Sequence, residues 1–409
     1  MANNHITEKI SFLTQIHTAW DGTEQRQALR QFPRMYCSYD YSAMNLEQSQ
    51  LLRMALYHNQ STMIRFPLWQ CAFGLGEKLY NRTTAITIPN EMIWCFRNIS
   101  MVMIWCNDEI GGLVYTIEYL TSFGEMGIDA PLDRDYEANS FSIIPVFYGV
   151  FEINGTYTTH HNEIMETTYN LERIRDQNLK YMFPEETHGI DHDEDFADSS
   201  VFRFGLPEYY NDMEVWRYEP DWVEPADGNY EKNTNRIDND TGVFRFDVKS
   251  YDPIENVEYV YTCMTRATIN NIQRFFFRHK GAWKSFYAPT WTSDIELAEN
   301  ADAGTMVLYT KNIWYWKYYQ KSTIRKKAIV FFRDNTYTFL DIAGYTINDD
   351  GDKGLIYLET ECDRDLIKSE ILMISFWVRY RFESDDMDID YETNSVARIA
   401  LTLKEVQNE

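Results

Sequence analysis

Apolar and polar residues alternate along much of the chain, in short runs that are separated by turn-forming residues. Such alternating runs are found in residues 85–105, 323–342 and 369–384. A period of two places successive side chains on opposite faces of a strand, and short strands with turns between them are typical of antiparallel sheets. The pattern therefore predicts a mainly β fold.

Two parts of the chain are similar to each other, which indicates an internal repeat. Residues 36–70 and residues 257–291 both start with a Tyr-rich alternating strand, continue into a helix and end in an aromatic strand at Trp69 or Trp291. Self-similarity at a fixed distance is the sequence signature of repeated structural units. We therefore predict two copies of one strand–helix–β-meander module.

The two predicted helices occupy residues 45–59 and 266–280. Apolar residues crowd both segments, and each helix begins after a residue that caps helices well, namely Asn45 in the first and Thr265 or Thr268 in the second. Each module should therefore contain one helix of about three to four turns.

The similarity continues beyond the helices. Residues 85–105 parallel 323–342, and residues 111–120 parallel 353–361. We therefore predict a mainly β fold class of duplicated β-barrel or β-sandwich modules, each with one helix, joined by an acidic loop-rich insertion; a single β-sandwich with unrelated insertions is the alternative. The predicted boundaries are an N-terminal assembly arm at 1–35, a first β module at 36–154, an acidic aromatic loop-rich insertion at 155–250 and a second β module at 251–409.

Acidic residues far outnumber basic ones, with 63 Asp and Glu against 38 Lys and Arg and a formal net charge of −25. Phosphate binding requires clustered Lys and Arg, so this charge argues against a general nucleic-acid-binding role. The sequence has neither a long apolar run nor the start of a signal peptide, so we expect a soluble product made in the cytoplasm. The six cysteines lie in apolar contexts without a CxxC pair, which predicts buried, reduced thiols.

Residues that could carry catalysis or bind a metal are few. His188 and His192, four residues apart in HGIDHDED, are the only metal-like cluster, yet Gly189 and the crowded carboxylates disfavour the helix that would bring both imidazoles to one face. A solvated acidic loop is the better interpretation, and we predict no metal and no cofactor. No GxSxG or HExxH signature occurs, so we also predict that the protein is not an enzyme.

Aromatic residues interleave with acids in residues 183–230 and form the best candidate for a ligand-binding surface. Trp216, Tyr218 and Trp222 could stack on sugar rings while neighbouring carboxylates accept hydrogen bonds from hydroxyl groups. A structural or inter-subunit role suits the same residues. A glycan-binding or glycan-cleaving baseplate protein is therefore kept as the alternative function.

A basic arm precedes the first module of this acidic chain. Arg26, Arg30 and Arg34 follow a turn, and Glu24 lies next to them. A body with a large negative charge repels its own copies, so local positive charge at each contact would favour self-assembly. We expect the arm to leave its module and contact an acidic surface of another subunit, with Arg26 and Arg34 as bidentate donors. The alternative is pairing within its own module.

Two short segments resemble tail-tip proteins of tailed bacteriophages. The shared pattern is a Gly-x-Glu-Gln-Arg…Pro-Arg arm, then a helix, a bend with Gly, and an aromatic strand that ends in Pro-x-Trp. The matching residues are Gly22, Glu24, Gln25, Arg26, Pro33 and Arg34 in the first segment and Phe275, Phe276, Arg278, Gly281, Phe286, Pro289 and Trp291 in the second. The resemblance covers residues 1–70 and 250–300, and the rest only as β-rich sequence.

The resemblance implies a virion structural protein of the distal tail or baseplate, which acts as an adaptor between the tail tube and the host-recognition parts. Its partners would be other copies of itself, in a ring of about three or six, and neighbouring tail tube, hub or fibre proteins. It would bind no nucleic acid and span no membrane. Such a protein is made in the host cytoplasm and resides in the virion tail.

Overall fold

Antiparallel strands dominate the structure, which is a computed structural model. It describes residues 5–19, 22–60, 62–106, 112–121, 123–151, 156–160, 164–174, 208–238, 240, 242–249 and 252–407. Strands greatly outnumber helices in this part of the chain, and the predicted mainly β fold class is confirmed. We call residues 6–174 the first module and residues 227–407 the second module.

The elements of the two modules follow one another in similar order. The first module runs through β1 (Ile6–Ser11), β2 (Thr14–Thr18), β3 (Glu24–Ala28), β4 (Arg34–Ala43), α1 (Leu46–His58), β5 (Met63–Pro67), a 3-10 turn (Trp69–Cys71), β6 (Ala85–Thr87), α2 (Asn90–Ile93), a 3-10 turn (Trp94–Phe96), β7 (Met101–Cys106), β8 (Leu113–Leu120), β9 (Glu125–Ile128), β10 (Phe141–Phe151), β11 (Tyr157–Thr159) and β12 (Met165–Ile174). A short hairpin of β13 (Tyr209–Tyr210) and β14 (Met213–Glu214) precedes the second module. The second module runs through β15 (Asp227–Glu231), β16 (Thr234–Asp238), β17 (Phe244–Val248), β18 (Ile254–Cys263), α3 (Arg266–His279), β19 (Phe286–Pro289), β20 (Val307–Thr310), α4 (Tyr315–Tyr319), β21 (Lys327–Phe332), β22 (Tyr337–Ile347), β23 (Gly354–Leu358), β24 (Ile371–Phe382), β25 (Asp386–Tyr391) and β26 (Ala397–Glu405).

Both predicted helices are confirmed, with their N-terminal caps. Oδ1 of Asn45 accepts a hydrogen bond from N of Gln48 at 2.9 Å, which caps α1. Oγ1 of Thr265 accepts one from N of Thr268 at 3.2 Å, which caps α3. Thr265 is therefore the cap of the second helix, and Thr268 supplies the main-chain N–H group that the cap satisfies.

The strands of the two modules pair in the same way. In the first module, β4 pairs with β12, β12 with β10, β10 with β5 and β7, β7 with β8, β8 with β9 and β9 with β6. In the second, β18 pairs with β26, β26 with β24, β24 with β19 and β21, β21 with β22, β22 with β23 and β23 with β20. That the modules are copies of one unit stays a prediction, and this shared order favours it.

One loop contact is also repeated between the modules. N of Asn81 donates a hydrogen bond to Oδ1 of Asp135 at 2.7 Å, and N of Ala303 donates one to Oδ1 of Asp365 at 2.8 Å. Each of these aspartates closes an Asp-Arg-Asp tripeptide that precedes β10 or β24. The shared tripeptide favours the predicted repeat.

A long hairpin precedes the main helix of each module. β1 pairs with β4 and β2 with β3 in the first module, as β15 pairs with β18 and β16 with β17 in the second. The tip turns contain Gly22 and Gly242, with φ angles of 95° and 87°. Such positive angles favour glycine, which lacks a Cβ atom. We call residues 14–28 the first arm and residues 234–248 the second arm.

The second arm corrects a predicted boundary. The sequence pattern assigns residues 227–249 to the acidic insertion at 155–250, whereas the structure pairs β15 with β18 of the second module. The prediction is wrong here because β16 and β17 are exposed on both faces and lack the one-sided alternation of a half-buried strand. Residues 175–207 of the insertion lie outside the described residues.

The N-terminal strand joins the two modules. β1 lies between β4 of the first module and β25 of the second, so that Ile6 is opposite both Tyr39 and Tyr391. Phe12, which follows β1, is buried in the core of the second module. The predicted assembly arm at residues 1–35 is therefore wrong in this part, because β1 completes a sheet that both modules share.

Two large groups of buried apolar side chains form the cores, one in each module. Aromatic rings are prominent in the second core, where Trp216, Phe276, Phe286 and Phe382 are almost inaccessible to solvent. All six cysteines are free thiols, and all except the half-buried Cys106 are buried. Because each module buries its own core, the contact between the modules is a distinct interface.

Candidate assembly interface

Helix α3 lies at the junction between the two modules. The ring of Phe277 packs against the rings of Phe12 and Trp94, with centroids 5.6 and 5.8 Å apart. Nε1 of Trp94 donates a hydrogen bond to Oε1 of Gln273 at 2.9 Å. Ten residues of α3 are buried. The helix is thus covered by the residue after β1 and by the turn after α2, both from the first module.

A buried arginine fixes the N-terminal end of α3 to the first module. Nη1 of Arg266 donates hydrogen bonds to the main-chain oxygens of Gln70 and Asn394, each at 3.3 Å. Nη2 donates one to Sγ of Cys71 at 3.2 Å. A buried guanidinium group must keep such partners, because an unpaired buried charge is costly. Polar contacts therefore hold this junction together with aromatic packing.

The first arm docks on the second module through a buried ion pair. Nε and Nη2 of Arg381 donate hydrogen bonds to Oε2 and Oε1 of Glu24 at 2.7 and 2.9 Å. The side chains of Arg381 and Glu24 expose only 4% and 9% of their surface. Burial raises the pKa of the Glu24 carboxyl, but the hydrogen bonds and charge of Arg381 outweigh burial and hold this pKa below its usual value. Glu24 is therefore ionised where it docks.

Arg26 lies beside this ion pair. Its Nη2 atom donates a hydrogen bond to Oγ of Ser285 at 2.8 Å, and its Nε atom lies 3.8 Å from Oε2 of Glu24. Burial lowers the pKa of the Arg26 guanidinium to about 10. The prediction that Glu24 and Arg26 contact another subunit is wrong, because both side chains dock on the second module of their own chain.

Arg30 and Arg34 also have partners within the chain. Nη1 of Arg30 lies 3.4 Å from the main-chain oxygen of Phe12. Nε of Arg34 lies 3.8 Å from Oε1 of Glu172, and these two side chains expose 57% and 44% of their surface. The second contact agrees with the alternative of pairing within the first module. An ion pair this exposed contributes little to stability. A role of either arginine at a subunit interface stays a prediction.

A bend after α3 receives the base of the first arm. Oδ2 and Oδ1 of Asp385 accept hydrogen bonds from N and Oγ1 of Thr14 at 2.5 and 2.8 Å. Oδ1 also accepts one from N of Ala282 at 3.0 Å. Gly281 has a φ angle of 67°, and a Cβ atom there would lie 2.6 Å from Oδ1 of Asp385. Glycine is therefore needed at the bend, both for its conformation and for space.

A cavity of about 520 Å³ lies between the first arm and the second module. It is lined by Glu24, Gln25, Arg26, Tyr209, Asp212, Met213, Glu214, Arg278, His279, Trp283, Lys284 and Ser285. Nε of Arg278 donates hydrogen bonds to both carboxylate oxygens of Glu214 at 3.1 Å, which makes a second buried ion pair in this wall. Burial lowers the pKa of His279 to about 3, so its imidazole is neutral, and Nδ1 donates a hydrogen bond to the main-chain oxygen of Phe275 at 2.9 Å. The ion pair binds the end of α3 to the short hairpin, and the first arm lines the opposite side of the cavity.

Trp216, Tyr218 and Trp222 do not form one exposed surface. Trp216 is completely buried, and its Nε1 atom donates a hydrogen bond to the hydroxyl of Tyr261 at 2.9 Å. The ring of Tyr218 packs against Trp216 with centroids 4.7 Å apart, while the half-exposed Trp222 donates a hydrogen bond to Glu219. The alternative in which these three rings stack on a sugar fails for Trp216, which belongs to the second core and so has a structural role.

The candidate metal ligands His188 and His192 lie outside the residues that the structure describes. Within the described ranges, no group of three or more His, Cys, Asp or Glu side chains is arranged to hold a metal ion. None of the helices in these ranges has both the length and the hydropathy needed to cross a bilayer.

The second arm faces solvent, whereas the first arm is docked on the second module. Its exposed apolar side chains are Ile237, Val243, Phe244, Phe246 and Val248. The rings of Phe244 and Phe246 lie 5.5 Å apart, and the guanidinium of Arg236 lies 4.4 Å from the centre of the Phe244 ring. A two-stranded ribbon is only marginally stable by itself in water. An exposed apolar patch on such a ribbon is typical of a protein-binding surface.

Comparison of the chain with known proteins found no matching family model and no matching curated protein. Its role must therefore be argued from the geometry described above: two modules with one order of strand pairing, a docked first arm and an exposed second arm.

Proposed function

We propose that this chain is a virion structural protein of a phage tail tip or baseplate, which assembles with copies of itself as an adaptor between the tail tube and the host-recognition parts. One observation carries the proposal. The first arm joins two modules of the same pairing order, whereas the corresponding second arm presents apolar residues to solvent. A module that is joined to its neighbour on one side and exposes the same element on the other is suited to repeated assembly.

The residues that resemble tail-tip proteins support the tail context. Glu24 and Arg26 belong to the first of the two segments, and they dock beside the second, where Arg26 contacts Ser285. Gly281 of the second segment lies against Asp385, which binds the base of the arm. The resemblance thus covers an arm and the surface that receives it, which is one functional unit rather than two unrelated motifs.

The large negative charge is compatible with assembly but does not drive it. Copies that each carry −25 repel one another, so association must come from contacts that outweigh this repulsion. Apolar burial is independent of the sign of the charge and supplies such a contact. We therefore propose that the exposed second arm makes the contact between copies.

Two measurements test the proposed function. Light scattering of the purified chain should show oligomers of defined mass, and electron microscopy should show closed or stacked rings. Antibodies against the chain should label the distal end of the tail in particles of the phage that encodes it. A chain that stays monomeric at about 100 μM and does not label virions would overturn the proposal.

A further inference from the structure

We infer that the second arm and helix α4 of one copy cover helix α1 of another copy. The corresponding packing within one chain is that of the residue after β1 and the turn after α2, which cover α3, and of the first arm, which docks beside it. The inference deepens the proposed self-assembly, on which it rests, by naming the two surfaces that meet. It depends on the equivalence of the modules and on which of the equivalent surfaces are exposed.

The elements of the first module that cover α3 have counterparts in the second module. Among the described residues, several aromatic side chains of these counterparts face solvent. α2 and the turn after it lie between β6 and β7, and α4 lies between β20 and β21 at the equivalent place. α2 and its turn are at the junction, with Trp94 against Phe277. By contrast, Trp314, Trp316 and Tyr318 in and beside α4 are exposed to solvent.

The covered helix has an exposed counterpart as well. Ten residues of α3 are buried, whereas only Ser49 and Leu56 of α1 are buried. The apolar residues that α1 exposes are Leu46, Leu51, Met54 and Tyr57. Tyr57 lies 220 residues before Phe277 and occupies the equivalent helix position, yet it is 90% exposed. A helix with this many exposed apolar residues is incomplete until another surface covers it.

At two equivalent positions, the first arm has charged side chains and the second arm has aromatic ones. The strand registers of the arms place Phe244 where the first arm has Glu24, and Phe246 where it has Arg26. Both aromatic side chains are about half exposed. The second arm therefore cannot repeat the ionic contacts of the first, and it requires an apolar receiving surface.

The surface of the first module on which the second arm would dock is apolar at two positions where the second module has polar partners for the first arm. The shared pairings of β24 and β10 make Val150 the equivalent of Arg381, and those of β19 and β5 make Met63 the equivalent of Ser285. Met63 is 57% exposed, and Val150 is half-buried. Arg381 and Ser285, the partners of Glu24 and Arg26, are thus replaced by apolar residues where the second arm would dock.

A second copy is the occupant that fits these observations. The second arm, α4 and α1 are all exposed among the residues that the structure describes, and no described part of the chain covers them. The two surfaces lie on different modules, so their contact is head-to-tail and leaves one of each surface free for the next copy. The rotation between the modules then decides whether the assembly closes into a ring.

A disulfide between copies tests the contact directly. Met63→Cys combined with Phe246→Cys should yield covalent dimers and larger species under mild oxidation, and mass spectrometry should find the peptides of residues 63 and 246 joined. The parent chain, with its six native thiols, is the control. Absence of this cross-link in a sample that light scattering shows to be oligomeric would overturn the interface and leave self-assembly intact.

Charge substitutions test the same contact without a covalent bond. Phe246→Glu and Tyr57→Glu should each weaken association by at least about 30-fold, as expected when an interface hot spot is lost. Leu372→Glu is the matched control, because Leu372 is also exposed and apolar but lies on β24 away from both surfaces. All three variants should keep the melting temperature of the parent chain, since none of these side chains is buried. Normal assembly of the first two variants would overturn the inference.

Mixing the two variants gives a further, decisive result. A copy with Phe246→Glu keeps its receiving surface, and a copy with Tyr57→Glu keeps its arm. An equimolar mixture should therefore form one-to-one dimers and nothing larger, because each pair has one working contact. Full-size assemblies from the mixture would overturn a head-to-tail contact. A parent chain that neither associates nor cross-links would instead overturn the proposed self-assembly itself.

Discussion

The two arms have the same strand arrangement and very different chemistry. The first arm buries Glu24 against Arg381 and places Arg26 on Ser285, so its contacts are ionic and directional. The second arm presents Phe244 and its neighbours to solvent. A backbone hairpin can therefore serve either as a joint within the chain or as a surface for another copy, depending on a few side chains.

With the proposed contact of the second arm, the difference would also keep each arm from the docking site of the other. A phenylalanine on the first arm would leave Arg381 buried without its carboxylate, and a glutamate on the second arm would be buried against apolar residues. Both mistakes cost free energy, because an unpaired charge is expensive to bury. Such penalties against the wrong partner are a common source of specificity.

Breaking the ion pair of the first arm should have the largest effect. Arg381→Ala leaves the buried carboxylate of Glu24 without its main partner, and we expect a loss of about 3 to 5 kcal/mol in the free energy of unfolding. Urea denaturation measures this loss. The double variant Glu24→Leu with Arg381→Met should recover only part of it, because the buried Arg26, 3.8 Å from Glu24, then loses its carboxylate neighbour. A loss below about 1 kcal/mol for Arg381→Ala would show that the docked arm contributes little.

The bend that receives the first arm should be next in sensitivity. Gly281→Ala adds a Cβ atom 2.6 Å from Asp385 and forces a positive φ angle on alanine, so we expect a loss of about 2 kcal/mol. Thermal unfolding measures it. Gly344→Ala is the control, because nothing lies within 4 Å of the corresponding Cβ position. Equal melting temperatures of the two variants would contradict a tightly built bend.

Lowering the pH should reduce the free energy of unfolding, because the buried His279 is neutral in the folded chain. Its pKa falls from 6.5 in the unfolded chain to about 3 in the fold, so the unfolded chain takes up a proton first and stability is lost as the pH falls below 6.5. The contribution of this residue is a loss of about 1 kcal/mol between pH 6.5 and 5.5. His279→Asn, which copies the equivalent Asn59 of α1, should flatten the urea midpoint over this interval. An unchanged pH slope in this variant would contradict the buried neutral imidazole.

Salt should produce the smallest effect and the one with the clearest sign. The Debye length falls from about 30 Å at 0.01 M to about 10 Å at 0.1 M, which screens the repulsion between acidic copies. If apolar arms mediate assembly, sedimentation should show association rising a few-fold over this range. Association that falls with salt would mean that exposed arginines make the contact instead.

The local parts of this fold could be predicted from the sequence, and the long-range parts could not. The helices and the cap at Asn45 follow from patterns within a few residues. The partner of Glu24 lies 357 positions away at Arg381, and no local pattern marks it. Trp216 lies in an acidic, aromatic segment and was therefore expected at the surface, but the second core from distant strands encloses it.

The second arm was missed for a different reason. Gly22 and Gly242, like Pro33 and Pro253, are 220 residues apart, which is the spacing that the predicted repeat requires. The residues between these positions differ in charge and size, because one arm docks on a polar surface and the other carries an apolar one. Similarity of residue type therefore fails over the two arms, whose side chains differ, while the glycines and prolines that shape the backbone keep their spacing.

The strand β1 has a mechanical consequence for the whole molecule. It forms six residue pairs with β4 of its own module and six with β25, so a backbone ladder couples the two modules directly. A force that pulls the modules apart along this strand must shear many hydrogen bonds together instead of breaking them one after another. We therefore expect that separating the modules along β1 needs more force than peeling the same strands apart one hydrogen bond at a time.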